Sequence, residues 1–140
     1  MKVLVIDQDG KSNGAVVANL VKQKNPNADV KLVASTDKTV GRSTNRKVQK
    51  LAKSVLGLSI QASKAEVARP EDVQWADKII IDNSSVLGAV TRTLGQELPK
   101  DKTQVLGDSK EVKTFYRLKK EDSLEDHMKK LADKVSLVAL

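Results

Sequence analysis

The chain has 140 residues, a length that suits one domain and hides about two-thirds of the surface an unfolded chain exposes. With 39% hydrophobic and 31% charged residues it is not a disordered chain, and the absence of cysteine excludes disulfides, thiolate-ligated metals and a cysteine nucleophile. The net charge of +7 resides entirely in residues 31–69, where nine Lys and Arg face only Asp37 and Glu66. Such one-sided charge points to an anionic partner, with a solvated helix face as the plainer reading.

In chain order, Val3-Leu4-Val5-Ile6 is a continuous apolar run and reads as a buried central strand. Asp7 interrupts that run, so it lacks the form of a secretory leader; no stretch reaches the ~18 apolar residues of a membrane span either, and the cytoplasm is the expected compartment. The turn Asp7-Gln8-Asp9-Gly10-Lys11-Ser12 leads into a helix capped by Ser12 or Asn13, with Ala15, Val16, Leu20 and Val21 inward. Asn25-Pro26-Asn27 ends it, and Val30 to Ala34 alternates as a second strand.

After the polar loop Ser35–Asn45, a helix is predicted from about Arg46 to Leu56, closed by Gly57. Residues 59–68 read as irregular. Arg69-Pro70-Glu71-Asp72 opens a helix with proline near its first position and acids in its first turn. Ile79-Ile80-Ile81 forms a third strand within 78–82, followed by a helix over 84–98 that Pro99 stops. Thr103 to Leu106 is a fourth strand, and Leu124 to Leu140 a final helix with Leu124, Met128, Leu131, Val135 and Val138 inward. Strands alternating with helices specify a three-layer α/β/α sandwich on a four-stranded parallel sheet, flavodoxin-like, with ligands expected at the carboxyl ends of the strands.

Three chemistries compete at the first turn. Gly10-Lys11-Ser12 at a helix start offers amides, a helix dipole and a cation, a means of holding a phosphate through Asp9, Gly10, Lys11, Ser12, Asn13 and Gly14. It is no Walker A loop, because Val5 stands where that motif needs its first glycine. Asp7 and Asp9 at a strand end can instead hold Mg²⁺, with Asp7 as nucleophile, Asp9 as acid/base and Asp82 as a further ligand; this resembles the first motif of haloacid-dehalogenase-type phosphatases. An ordinary strand-to-helix turn is the plain alternative.

Elsewhere, Arg42, Arg46, Lys50 and Lys53 are candidate partner contacts, the last three at spacings of four and three on one helix face, where they can also meet nucleic-acid phosphates. Phe115 and Tyr116 overlook the expected site. Trp75 reads as a hinge or core residue, and His127, the single histidine, as a solvated one.

One resemblance spans nearly the whole chain. Leu58-Ser59-Ile60, the stretch from Ala68-Arg69-Pro70-Glu71-Asp72 through Trp75-Ala76-Asp77 to Ile81-Asp82, and Leu87 resemble low-molecular-weight protein tyrosine phosphatases. Val3–Ile6, Lys31–Thr36, Gly41, Val105–Asp108 and Ser123–Asp126 fall where that family has corresponding elements. The resemblance implies a loop of Cys, five residues, Arg and Ser, and a later Asp-Pro acid. Here Lys11-Ser12 stands for Arg-Ser, Asp7 (or Val5, without a gap) stands for the cysteine, and no Asp-Pro occurs. The expected function is therefore a catalytically inactive, phosphatase-like binding or regulatory protein with no cofactor and an anionic or phosphorylated partner. A Mg²⁺-dependent phosphohydrolase and a nucleic-acid-binding accessory protein are the alternatives.

Overall fold

The computed structural model describes residues 1–8, 12–36, 46–60, 66–113, 118 and 123–140. Four strands, β1 (Lys2–Asp7), β2 (Asp29–Ala34), β3 (Lys78–Ile81) and β4 (Thr103–Val105), form one parallel sheet in the order β2-β1-β3-β4. β1 is central, so side chains on both its faces meet helices and Val3, Leu4, Val5 and Ile6 have no exposed surface. Their alternation divides the core. Val3, Val5 and Ile80 pack with helix α1 (Asn13–Lys24), helix α2 (Arg46–Leu51) and helix α5 (Leu124–Ser136). Leu4, Ile6, Ile79 and Ile81 pack with helix α3 (Pro70–Trp75) and helix α4 (Ser85–Leu94). The architecture is the expected α/β/α sandwich.

Local chemistry explains most of the element ends. Helix α2 runs into a π-helical turn, Ala52–Leu56, which Gly57 closes at φ 67°. In α3, Pro70 takes the first position while the Asp72 carboxylate accepts the Arg69 amide at 3.0 Å and pairs with Lys31 at 2.6 Å. Helix α4 stops at Leu94 rather than near Leu98, because Gly95 adopts the left-handed conformation at φ 71° and turns the chain before Pro99 is reached. Helix α5 ends at Ser136, earlier than its apolar spacing predicts, and Val138 still reaches the core. Within the stretch read as irregular, Val67 forms a parallel bridge to Ala34. Trp75 is half-buried against the second core face with the Lys2 ammonium 6.0 Å from its ring centre, as a core residue should be. Among the described residues no helix is long and apolar enough to cross a membrane.

Candidate functional site at the carboxyl rim

The chain steps from β1 outward to β2 and then crosses back to β3, so the reversal point of the sheet lies between the ends of β1 and β3. Ile6 is in register with Ile81, and the next residue on each strand is an aspartate. Asp7 and Asp82 thus leave the sheet side by side, each 1% exposed. A carboxylate removed from water needs donors, and the first turn of α1 supplies them. The Gly14 amide donates to Asp7 Oδ2 at 2.7 Å, and Asn13 Nδ2 donates to Asp82 Oδ2 at 3.2 Å.

Asn13 extends the network. Its Nδ2 also donates to the Lys113 carbonyl at 2.8 Å, and its Oδ1 lies 2.8 Å from His127 Nε2. Both amide protons face acceptors, so Oδ1 must accept and the His127 proton sits on Nε2. Around this core, Asn83 donates to the Val112 carbonyl at 3.1 Å and accepts from the amide and hydroxyl of Ser85, fixing the start of α4. Ser35 donates its amide to the Asp7 carbonyl at 2.8 Å and its hydroxyl to the Gln8 carbonyl at 3.3 Å. Asp7, Ser12, Asn13, Ser35, Asp82, Asn83 and His127 are all buried, so the rim is a cross-linked polar layer.

This geometry corrects several sequence expectations. Asn13 and Gly14 spend their donors on Asp7, Asp82 and Lys113, and Ser12 is 4% exposed. The α1 start is capped by neither Ser12 nor Asn13 side chains but by Asp7, reaching back from the strand. His127 is not solvated; it is 7% exposed and joins α5 to α1. Its spacing was informative, since it falls three residues after Leu124 and four before Leu131, on the edge of the apolar stripe. Ser35 carried no comparable signal, because its partners are main-chain groups distant in sequence, and neither did the bond from Asn83 to the Val112 carbonyl.

Asp7 and Asp82 are brought together as the Mg²⁺ reading required, but among the described residues no group of three or more His, Cys, Asp or Glu side chains converges as a metal site. Arg46, Lys50 and Lys53 are exposed while Val48 and Ala52 between them are buried, so the three basic residues share the outer side of α2 and its π turn. Lys53 donates to Ser59 Oγ at 3.2 Å. Asp9, Gly10, Lys11, Arg42, Phe115 and Tyr116 lie outside the described residues.

An open parallel sandwich whose reversal point carries a strand-to-helix loop defines a class of fold that includes many phosphate-handling proteins. Within it, solved structures of low-molecular-weight protein tyrosine phosphatases superpose on this chain. The tyrosine phosphatase AmsI of Erwinia amylovora gives a TM-score of 0.80 at 19% identity, covering 96% of this chain and 88% of that one. Vibrio vulnificus Wzb in complex with benzylphosphonate gives 0.80 at 14% identity, covering 96% and 94%. Wzb from Escherichia coli K30 in complex with sulphate gives 0.80 at 17%, covering 96% and 93%. The sequence matches no family model and no curated protein. At such identities the likeness is one of fold: this chain has the low-molecular-weight phosphatase fold, and it has no cysteine.

Proposed function

We propose that the chain is a binding protein built on the phosphatase fold, without phosphoryl chemistry of its own, which meets an acidic or phosphorylated protein on the outer side of α2. The observation that carries this reading is Asp7. In the phosphatases the resemblance invokes, the strand ends in a thiolate and the following amides grip the phosphoryl oxygens. Here the strand ends in a carboxylate that itself takes the Gly14 amide. The chain's own anion stands at the helix start, and a second anion beside it would meet like charge in a dry setting. Asp7 is 1% exposed, which denies it the open approach that a nucleophile requires.

The anion-recognising surface then falls to α2 and its π turn. Arg46, Lys47, Lys50 and Lys53 are exposed there, and no Asp or Glu occurs from residue 38 to residue 60. Cations at such spacing repel one another within the helix, a cost that an anionic partner relieves. Bound sulphate and benzylphosphonate in the two Wzb structures mark the fold as one that accommodates oxyanions, which supports an anionic ligand class for this chain.

The test has two arms. Turnover of p-nitrophenyl phosphate, with and without Mg²⁺, is expected to be absent; turnover that Asp7→Asn abolishes would establish the phosphohydrolase reading instead. Fluorescence anisotropy with a multiply phosphorylated peptide is expected to show binding that weakens with salt and falls about five- to tenfold in Arg46→Ala/Lys50→Ala. Tighter binding to a nucleic-acid duplex than to the peptide would transfer the surface to the nucleic-acid reading.

A further inference from the structure

Asn13 and Gly14 form the chain's single Asn-Gly pair. Such a pair is chemically labile, because no Cβ on the glycine shields its nitrogen from the asparagine side chain. The Gly14 nitrogen, once deprotonated, attacks Asn13 Cγ; the Cγ–Nδ2 bond breaks, and ammonia leaves with a cyclic imide in its place. Water then opens either imide carbonyl, giving aspartate or an isoaspartate whose main chain runs through Cβ. Nothing is oxidised or reduced: the net change is a water taken up and an ammonia released.

The folded rim opposes each step. Asn13 opens α1 and is 2% exposed. Ring closure needs it to leave the helical main-chain conformation and to turn its amide away from Asp82, Lys113 and His127, partners from three separate parts of the chain. The Gly14 N–H points at Asp7 Oδ2, 2.7 Å away, so a nitrogen losing its proton there would face a carboxylate in a dry setting. Nor can the rim dispense with the pair. Asn13 Nδ2 serves two acceptors, and a Cβ at residue 14 would strike the side chains of Asp7 and Leu32.

We propose that Asn13 is a deamidation site held shut by folding, so that a chain once opened is marked there and cannot rebuild the rim. The product's chemistry makes the mark one-way. An acid at residue 13 replaces both Nδ2 donors with an oxygen that stands against Asp82 Oδ2 and the Lys113 carbonyl, both acceptors. Its other oxygen keeps His127 Nε2, but a third carboxyl group now shares a buried layer with Asp7 and Asp82. In the isoaspartate the extra main-chain carbon moves the Gly14 amide off Asp7.

Peptide mass spectrometry of the full chain, aged at mildly alkaline pH with and without unfolding urea, tests this. Asn27, exposed and followed by Ala28, is the internal standard. In urea Asn13 is expected to convert ahead of Asn27. In the native chain it should convert at least about a hundredfold more slowly than in urea, because only the opened fraction reacts. After urea is removed, chains converted at Asn13 should unfold at a lower urea midpoint than unconverted ones. Asn13→Asp should reproduce that loss, whereas Asn27→Asp, which places the same charge on the surface, should not. Equal conversion of Asn13 in native and unfolded chains overturns the proposal, as does an Asn13 that stays intact in urea or a converted chain that refolds with an unchanged midpoint.

Discussion

Gly14 shows how closely the first turn of α1 is fitted to the strand that precedes it. A Cβ built there would lie 2.6 Å from Asp7 Cγ and 2.6 Å from Leu32 Cδ1. In an open helix, Gly→Ala gains about 1 kcal/mol. Here the methyl would drive the carboxylate off its amide, so Gly14→Ala is expected to lose about 2 kcal/mol in urea unfolding. Asp7→Ala should itself cost about 1–2 kcal/mol through the lost cap and a stranded buried amide. The two effects share one contact, so the double variant should fall short of their sum by about 1 kcal/mol; additive losses would show that the Asp7 carboxylate is not what Gly14 accommodates. The aspartate, the glycine and their positions were legible in the sequence as a polar strand-to-helix turn. Whether their donors faced a ligand or the chain's own carboxylate was not, because that depends on how deeply Asp7 is buried.

At the scale of elements, lysines do work that spacing alone does not announce. Lys24, the last residue of α1, sends its ammonium to the end of α5, donating to the Val135, Ser136 and Val138 carbonyls at 3.3, 3.0 and 2.5 Å. The Val135 carbonyl also accepts the Val138 amide at 3.0 Å, while the Ser136 and Val138 carbonyls stand at and just past the helix end, where the dipole is negative, so a cation there is favoured. Lys24→Met keeps the aliphatic stem and removes the charge. It should destabilise the protein by about 1–2 kcal/mol and speed amide exchange at the end of α5, while Lys22→Met, exposed on the same helix, should change little. Equal effects of the two substitutions would refute the capping role. The helix itself was plain from Leu124, Met128, Leu131 and Val135. Its end was not, because the group that terminates it comes from the other end of the chain. Gly95 is the opposite case: a local residue that stops α4 short of Pro99, and a glycine in that position is a legible stop signal.

The whole molecule is closed by α5, which seals the α1 face of the sheet and is also tied to the turn after β4. Lys134 pairs with Glu111 at 2.9 Å, and Glu111 and Asp108 belong to one turn. The Glu111 and Lys110 amides hold the Asp108 carboxyl below the usual range, and the Lys134 ammonium with the Asp108 amide does the same for Glu111. A lowered folded-state value means that the unfolded chain takes up these protons first. Their contribution is therefore whole above about pH 5 and is lost as pH falls through the folded values. The urea midpoint should drop on acidification through that window, and less steeply in Asp108→Asn/Glu111→Gln; superimposable acid profiles would remove the turn from the account. Unaided, the sequence determined the layers, because apolar runs and helical spacing are local patterns that burial must obey: Val3–Ile6 and Ile79–Ile81 could only be buried strands, and the lack of cysteine removed thiolate chemistry before any fold was known. Only the tertiary structure decided that Asp7, Asn13, Asp82 and His127 form one dry network, because hydrogen bonds between residues up to 114 positions apart follow from which strands lie side by side.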